Sequence, residues 1–114
     1  MAKKGVFPIL LGETHTTSAA TKWGEDTSKE VGVIKIATAH DVTFDSTNYP
    51  GEPGDMVIVQ NSDDDSRNVT ITPDPFGDAN ANVLALTTGD FVSVMYHEVH
   101  GWIFVGGVTD SGAS

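Results

Sequence analysis

The sequence predicts an all-β protein: a small β-sandwich or barrel-like body of about seven short strands, preceded by an extended N-terminal arm. Three observations carry that prediction. β-Branched and apolar residues recur in short runs, and no stretch sustains a 3.6-residue period. Between the runs stand clusters of Gly, Pro, Asn and Asp, which stop strands and build turns. The runs follow one another closely, the spacing of a sandwich or barrel rather than of alternating strands and helices.

The chain divides at residue 30. Residues 1–30 lack a period, and Gly12 to Ser28 are rich in Thr, Ser and Gly, which compete for backbone hydrogen bonds and drive no collapse. This stretch reads as an arm with two apolar anchors: the run Val6, Phe7, Pro8, Ile9, Leu10, Leu11, and the isolated Trp23. Either anchor has two uses, on a partner or on its own domain. A short helix over Ala19 to Trp23 is the one helical option.

The body spans 31–108. Val31 to Thr38 is β-branched and apolar, and Asp41 to Asp45 alternates, with Val42 and Phe44 on one side. The cluster from Asn48 to Asp55 stops any strand, and Met56 to Gln60 follows it. Asn61 to Arg67 is a polar loop. Asn68 to Thr72 alternates cleanly, placing Val69 and Ile71 inside and Asn68, Thr70 and Thr72 outside. A proline-bearing loop leads to strands over Val83 to Leu86, Phe91 to Tyr96 and Trp102 to Val105, with a hairpin turn across His97 to Gly101. Residues 109–114 form a flexible tail.

Several strands are apolar on both sides. Met56 and Ile58 oppose Val57 and Val59; Met95 opposes Val94 and Tyr96; Trp102 and Phe104 oppose Ile103 and Val105. A lone two-sheet domain needs one apolar face per sheet. The surplus predicts self-association, because about 25 cal/mol is gained for each Å² of apolar surface removed from water. A closed barrel that hides both faces internally is the alternative. The candidate residues for core or intersubunit contact are Met56, Ile58, Met95, Tyr96, Trp102 and Phe104.

Charge and composition exclude several functions. Four bases balance four acids up to residue 30, whereas beyond it only Lys35 and Arg67 face twelve acids. A net charge of −10 repels the phosphate backbone and anionic lipid, so neither nucleic acid nor membrane is an expected partner. With no cysteine, disulfides, thiolate nucleophiles and sulfur-ligated zinc are excluded. No spanning or signal-type apolar run is present. His97 and His100 flank Glu98 without the spacing that sets two imidazoles on one side of a helix, and they read as exposed turn residues. Asp63, Asp64 and Asp65 lack the alternate ligand spacing, glycine and distal glutamate of a calcium loop. No catalytic motif is visible, so neither an enzyme nor a cofactor is expected; acid–base work by a pair such as Asp90 and Glu98, in a small β-barrel enzyme, is the competing option.

One resemblance stands out. Gly54-Asp55-Met56-Val57-Ile58-Val59-Gln60-Asn61, then Asn68 to Thr72, then Leu86-Thr87-Thr88-Gly89-Asp90 leading into a strand, then Gly101-Trp102 closing a hairpin, resembles a pattern of tailed-phage structural proteins. Such modules are similar to trimeric capsid decoration (cement) proteins and to fibre knobs, and the likeness covers about the last 60 residues. It implies a homotrimeric virion component on the outer surface of the capsid, with the major capsid protein as partner. A free-standing subunit with a leading arm suits the decoration subclass better than a knob. On that reading the arm residues Val6 to Leu11 and Trp23 lie on the shell, and three arms per trimer raise avidity by about 10²–10⁴. The alternative is a fibre-tip or carbohydrate-binding module, with Tyr49, Phe76 and Trp23 as its aromatic candidates.

Overall fold

A computed structural model describes residues 12–77 and 82–108, Val108 by its backbone alone. All of it is strand and turn. The nine strands are β1 Glu13–Thr16, β2 Thr21–Lys22, β3 Val31–Ile36, β4 Val42–Asp45, β5 Met56–Asn61, β6 Arg67–Thr72, β7 Val83–Leu86, β8 Phe91–His97 and β9 Gly101–Val108. They form two sheets, ordered β1-β3-β5-β8-β9 and β2-β4-β6-β7.

Up to β6 the chain alternates between the sheets, each strand lying in the sheet opposite its predecessor. This explains why β1, β3 and β5 pair in parallel, as do β2, β4 and β6. A parallel pair needs a crossover, and here a strand of the other sheet supplies it. The last strands return to local pairing: β6 with β7 and β8 with β9 are antiparallel, as is β5 with β8.

The strands of the body fall where the periodicity puts them, with β3 ending at Ile36, earlier than the sequence suggests. The arm does not. Residues 13–22 supply β1 to the edge of one sheet and β2 to the edge of the other, and no helix forms over Ala19 to Trp23. Residues 13–22 thus share the two sheets of the body, while Val6 to Leu11 and the 109–114 tail lie outside the described residues. The physical reason is Trp23. Its side chain is only 1% exposed, its Nε1–H donates to the Val31 carbonyl at 3.0 Å, and its ring meets Trp102 edge-on at 4.9 Å. Burying an indole with its donor satisfied anchors a polar stretch whose other ties are its backbone pairings with β3 and β4.

The core lies between the sheets. Ile34, Ile36, Val57, Val59, Val92, Val94 and Trp102 come from one sheet, and Val42, Phe44, Val69, Ile71 and Leu86 from the other. At one end it is aromatic: Phe44 and Tyr96 stand 5.0 and 5.2 Å from Trp102. The Trp102 indole N–H reaches the Tyr49 carbonyl at 3.3 Å, and its backbone N–H donates to Ser46 Oγ at 2.9 Å. Gly51 faces the indole so closely that a Cβ there would stand 3.0 Å from the ring, which ties the Asn48 to Asp55 turn to this end of the core.

Candidate functional site

The outer side of the five-stranded sheet is the candidate site. Alternation along β5 and β8 turns Val57, Val59, Val92 and Val94 into the core and leaves Met56, Ile58 and Met95 outside. On β9, Trp102 is buried and Phe104 packs against the core, so Ile103 and Val105 face out. Register then aligns these residues across the sheet. Met56 pairs with Met95 and Met95 with Ile103; Val33 pairs with Ile58 and Ile58 with Ser93. A register shift between Ser93 and Val94 places Val105 as an extra residue opposite that step. Met56 is 39% and Val105 42% exposed, while Val33, Ile58, Met95 and Ile103 are half-buried. Parallel strands are normally covered on both faces. Here no strand or loop among the described residues lies over one face.

The six candidates for core or contact thus separate. Tyr96, Trp102 and Phe104 belong to the interior; Met56, Ile58 and Met95 belong to the outer face. Trp23 is a core residue in this subunit. Val33 is the face residue that sequence reasoning passed over, although the same period of two marks it opposite Ile34.

The motifs that carried the phage resemblance meet as structural joints. Asn61, fully buried at the end of β5, receives the Asp63 N–H on Oδ1 and donates from Nδ2 to the carbonyls of Asp65 and Leu86. Its backbone N–H donates to the Asp90 carbonyl and its carbonyl accepts from Gly89. Asn61 and Leu86 to Asp90 are therefore one joint, linking β5 to the far sheet. At the opposite end of β5 the Gly54 N–H donates to the Tyr96 carbonyl and Tyr96 returns a bond to Asp55. The need for a buried asparagine was not legible; only its place at the end of an apolar run hinted at it.

The chemistry-bearing clusters close on themselves. Arg67 donates through Nε to Asp63 Oδ2 at 2.8 Å, and its Nη2 lies 2.6 Å from the same oxygen, with Asp65 at 3.7 Å. That hydrogen bond holds the Asp63 carboxyl below its ordinary range. Asp45 is lowered as well, first by the Asn48 side chain and then by the backbone N–H groups of Asn48 and Thr47, against the opposing effect of burial. His97 Nδ1 accepts from the N–H groups of Val99 and His100, capping the β8–β9 turn. Among the described residues no three His, Asp or Glu side chains gather to hold a metal ion, and no helix is long and apolar enough to cross a membrane.

No family model matches the chain, and no curated protein matches it. One solved structure, described as "Structure of a chaperone-substrate complex", is similar over 75% of this chain at 12% identity and a TM-score of 0.41. The chain spans 16% of that neighbour's length.

Proposed function

We propose that this protein is a structural component of a virion: a decoration subunit that assembles as a trimer on the outer surface of a tailed-phage capsid and stabilises the shell. The observation that carries the reading is the outward apolar face built from Val33, Met56, Ile58, Met95, Ile103 and Val105, which a protein working alone would keep polar. In the assembled state this face meets a neighbouring copy. The apolar run Val6 to Leu11, with Lys3 and Lys4 before it, reaches the major capsid protein. The acidic body faces outward and keeps the coated particle soluble. No catalytic step belongs to this role.

The carbohydrate-binding reading has less support. Of its three aromatic candidates, Trp23 is buried, Phe76 leans on His100 at 5.0 Å, and Tyr49 carries Lys22 above its ring at 5.9 Å. They are engaged separately and form no common platform.

The test is binding of the full chain to undecorated phage shells, followed by sedimentation and by image reconstruction of the coated particle. The expected result is saturable binding in groups of three, lost when residues 1–11 are removed. No binding, or full occupancy by the shortened chain, overturns the assignment.

A further inference from the structure

We infer that the trimer closes head to tail: the β8–β9 turn of each copy, with Val99 at its tip and Phe76 beside it, seats on the outer sheet face of the next, over Met56, Ile58 and Met95. The inference rests on the trimer reading above and names the second surface which that reading needs.

Symmetry comes first. A contact in which the face meets itself joins two copies and stops there, whereas a ring of three needs two unlike surfaces on every subunit. The sheet face is one of them. Five strands at about 4.8 Å and six residues at about 3.3 Å make it roughly 24 by 20 Å. With side-chain relief, that is of the order of the about 800 Å² which a stable interface takes from each partner. Its apolar centre and its border of Thr14, Lys35 and Gln60 follow the usual arrangement of a dry core within a polar rim.

Exposure identifies the other surface. Among the described residues the exposed large apolar side chains are Met56 and Val105 on the face, Val83 on the four-stranded sheet, and Phe76 and Val99. The last two are the most exposed, at 61% and 74%, and both adjoin His100: the Phe76 ring lies 5.0 Å from the imidazole, and Val99 precedes it in the chain. The turn beneath them is braced. His97 Nδ1 accepts from the Val99 and His100 N–H groups at 3.0 and 3.2 Å, and the His97 ring stands 5.0 Å from that of His100. A tip ordered before contact loses little entropy on docking, which is what an inserted knob requires.

Charge sets the register. Beyond residue 30 the bases are Lys35 and Arg67, and Arg67 is engaged by Asp63 and Asp65. Lys35 alternates with the buried Ile34 and Ile36, so it faces outward, and it makes no ion pair among the described residues. Glu98, beside Val99, is exposed and equally unpaired among them. Seating Val99 on Ile58 of the next copy brings the two together. Ile58 pairs with Val33, and Lys35 is two residues further along β3, so the Lys35 and Ile58 Cα atoms lie about 8 Å apart. Glu98 Cα is about 3.8 Å from that of Val99, and a lysine and a glutamate side chain together span the remaining gap. A face-to-face pair satisfies neither demand. It leaves Phe76 and Val99 in water, and β3, β5, β8 and β9 contain no acid to offer Lys35.

The experiment uses engineered cysteines, which report alone because the chain has none of its own. Ile58→Cys and Val99→Cys are made singly and together; both positions lie outside the core, so the variants keep the fold. A short bismaleimide is applied to the free chain and to the chain on undecorated shells. The double variant should give closed covalent trimers near three times 12.0 kDa, and neither single variant should crosslink. Lys35→Glu and Glu98→Lys should each weaken association about tenfold, and the two together should restore it. Loss without restoration overturns the register. Dimers from Ile58→Cys alone, or no crosslink from the double variant in either setting, overturn the contact whatever the charge variants do. Light scattering alongside separates the two readings. Trimers without the crosslink refute this contact and keep the trimer, whereas crosslinked trimers that fail to bind shells refute the capsid reading and keep the contact.

Discussion

The two sheets of this protein meet the same core with opposite exteriors. On the four-stranded sheet the outward positions of β6 are Asn68, Thr70 and Thr72, and Thr43 stands beside them on β4, paired with Thr70. On the five-stranded sheet the corresponding positions of β5, β8 and β9 are Met56, Ile58, Met95, Ile103 and Val105, with Gln60 and Ser93 beside them. Threonine is β-branched, so it fits a pleated surface as well as valine does while offering water a hydroxyl. The first exterior is mostly polar, with Val83 on β7 its exposed apolar residue at 46%. The second carries most of the outward apolar side chains of the fold, and the contrast is what the proposed assembly role builds on.

The largest expected effect tests which side of β9 is interior. Trp102→Ala should cost about 3–5 kcal/mol in urea unfolding, since it empties a site walled by Trp23, Phe44 and Tyr96. Met95→Ala on the outer side should cost less than a third of that; comparable losses would mean that the two sides had been assigned wrongly. Next comes the joint between the sheets. Asn61→Ala strands the carbonyl of Leu86 and the N–H of Asp63, which predicts a loss of about 1–3 kcal/mol by the same measurement.

A charge placed on each exterior sharpens the contrast directly. Met95→Lys and Thr70→Lys should each change the stability of the free chain by no more than about 0.5 kcal/mol. Only Met95→Lys should abolish binding to undecorated shells. Equal loss in both variants would remove the distinction between the faces. The smallest effect is electrostatic. Asp45 and Asp63 both titrate below the ordinary carboxylate range, so their stabilisation is complete above the unfolded-chain value of about 3.9 and disappears as pH falls through their folded values. Asp45→Asn should therefore be less stable than the parent chain at neutral pH, with the difference closing below about pH 4. A gap that persists into acid would assign the effect to lost geometry and not to charge.

Much of the architecture was legible beforehand because strand patterning is local. The period of two in Asn68 to Thr72 places Val69 and Ile71 inside, and both are buried. The hairpin over His97 to Gly101 needs only neighbours in sequence, and β8 pairs with β9 as that predicts. The polar stretch before Val31 misled for the opposite reason. Its strands are held by partners 18 or more residues away, Glu13 beside Val31 and Thr21 beside Val42, and by one buried indole, none of which leaves a periodic trace.

The amino-acid sequence alone therefore determined the seven strands from Val31 onward, the turns between most of them and the existence of more apolar surface than two single-faced sheets require. Only the tertiary structure decided which side of Met56 to Val59 and of Trp102 to Val105 faces the core. Alternation states that two sides differ and is silent on which is inward when both are apolar. That choice belongs to the aromatic cluster around Trp102, which draws residues from both sheets and from the segment before Val31. The parallel order of the early strands was likewise settled at a distance, by a chain that crosses from sheet to sheet at each step.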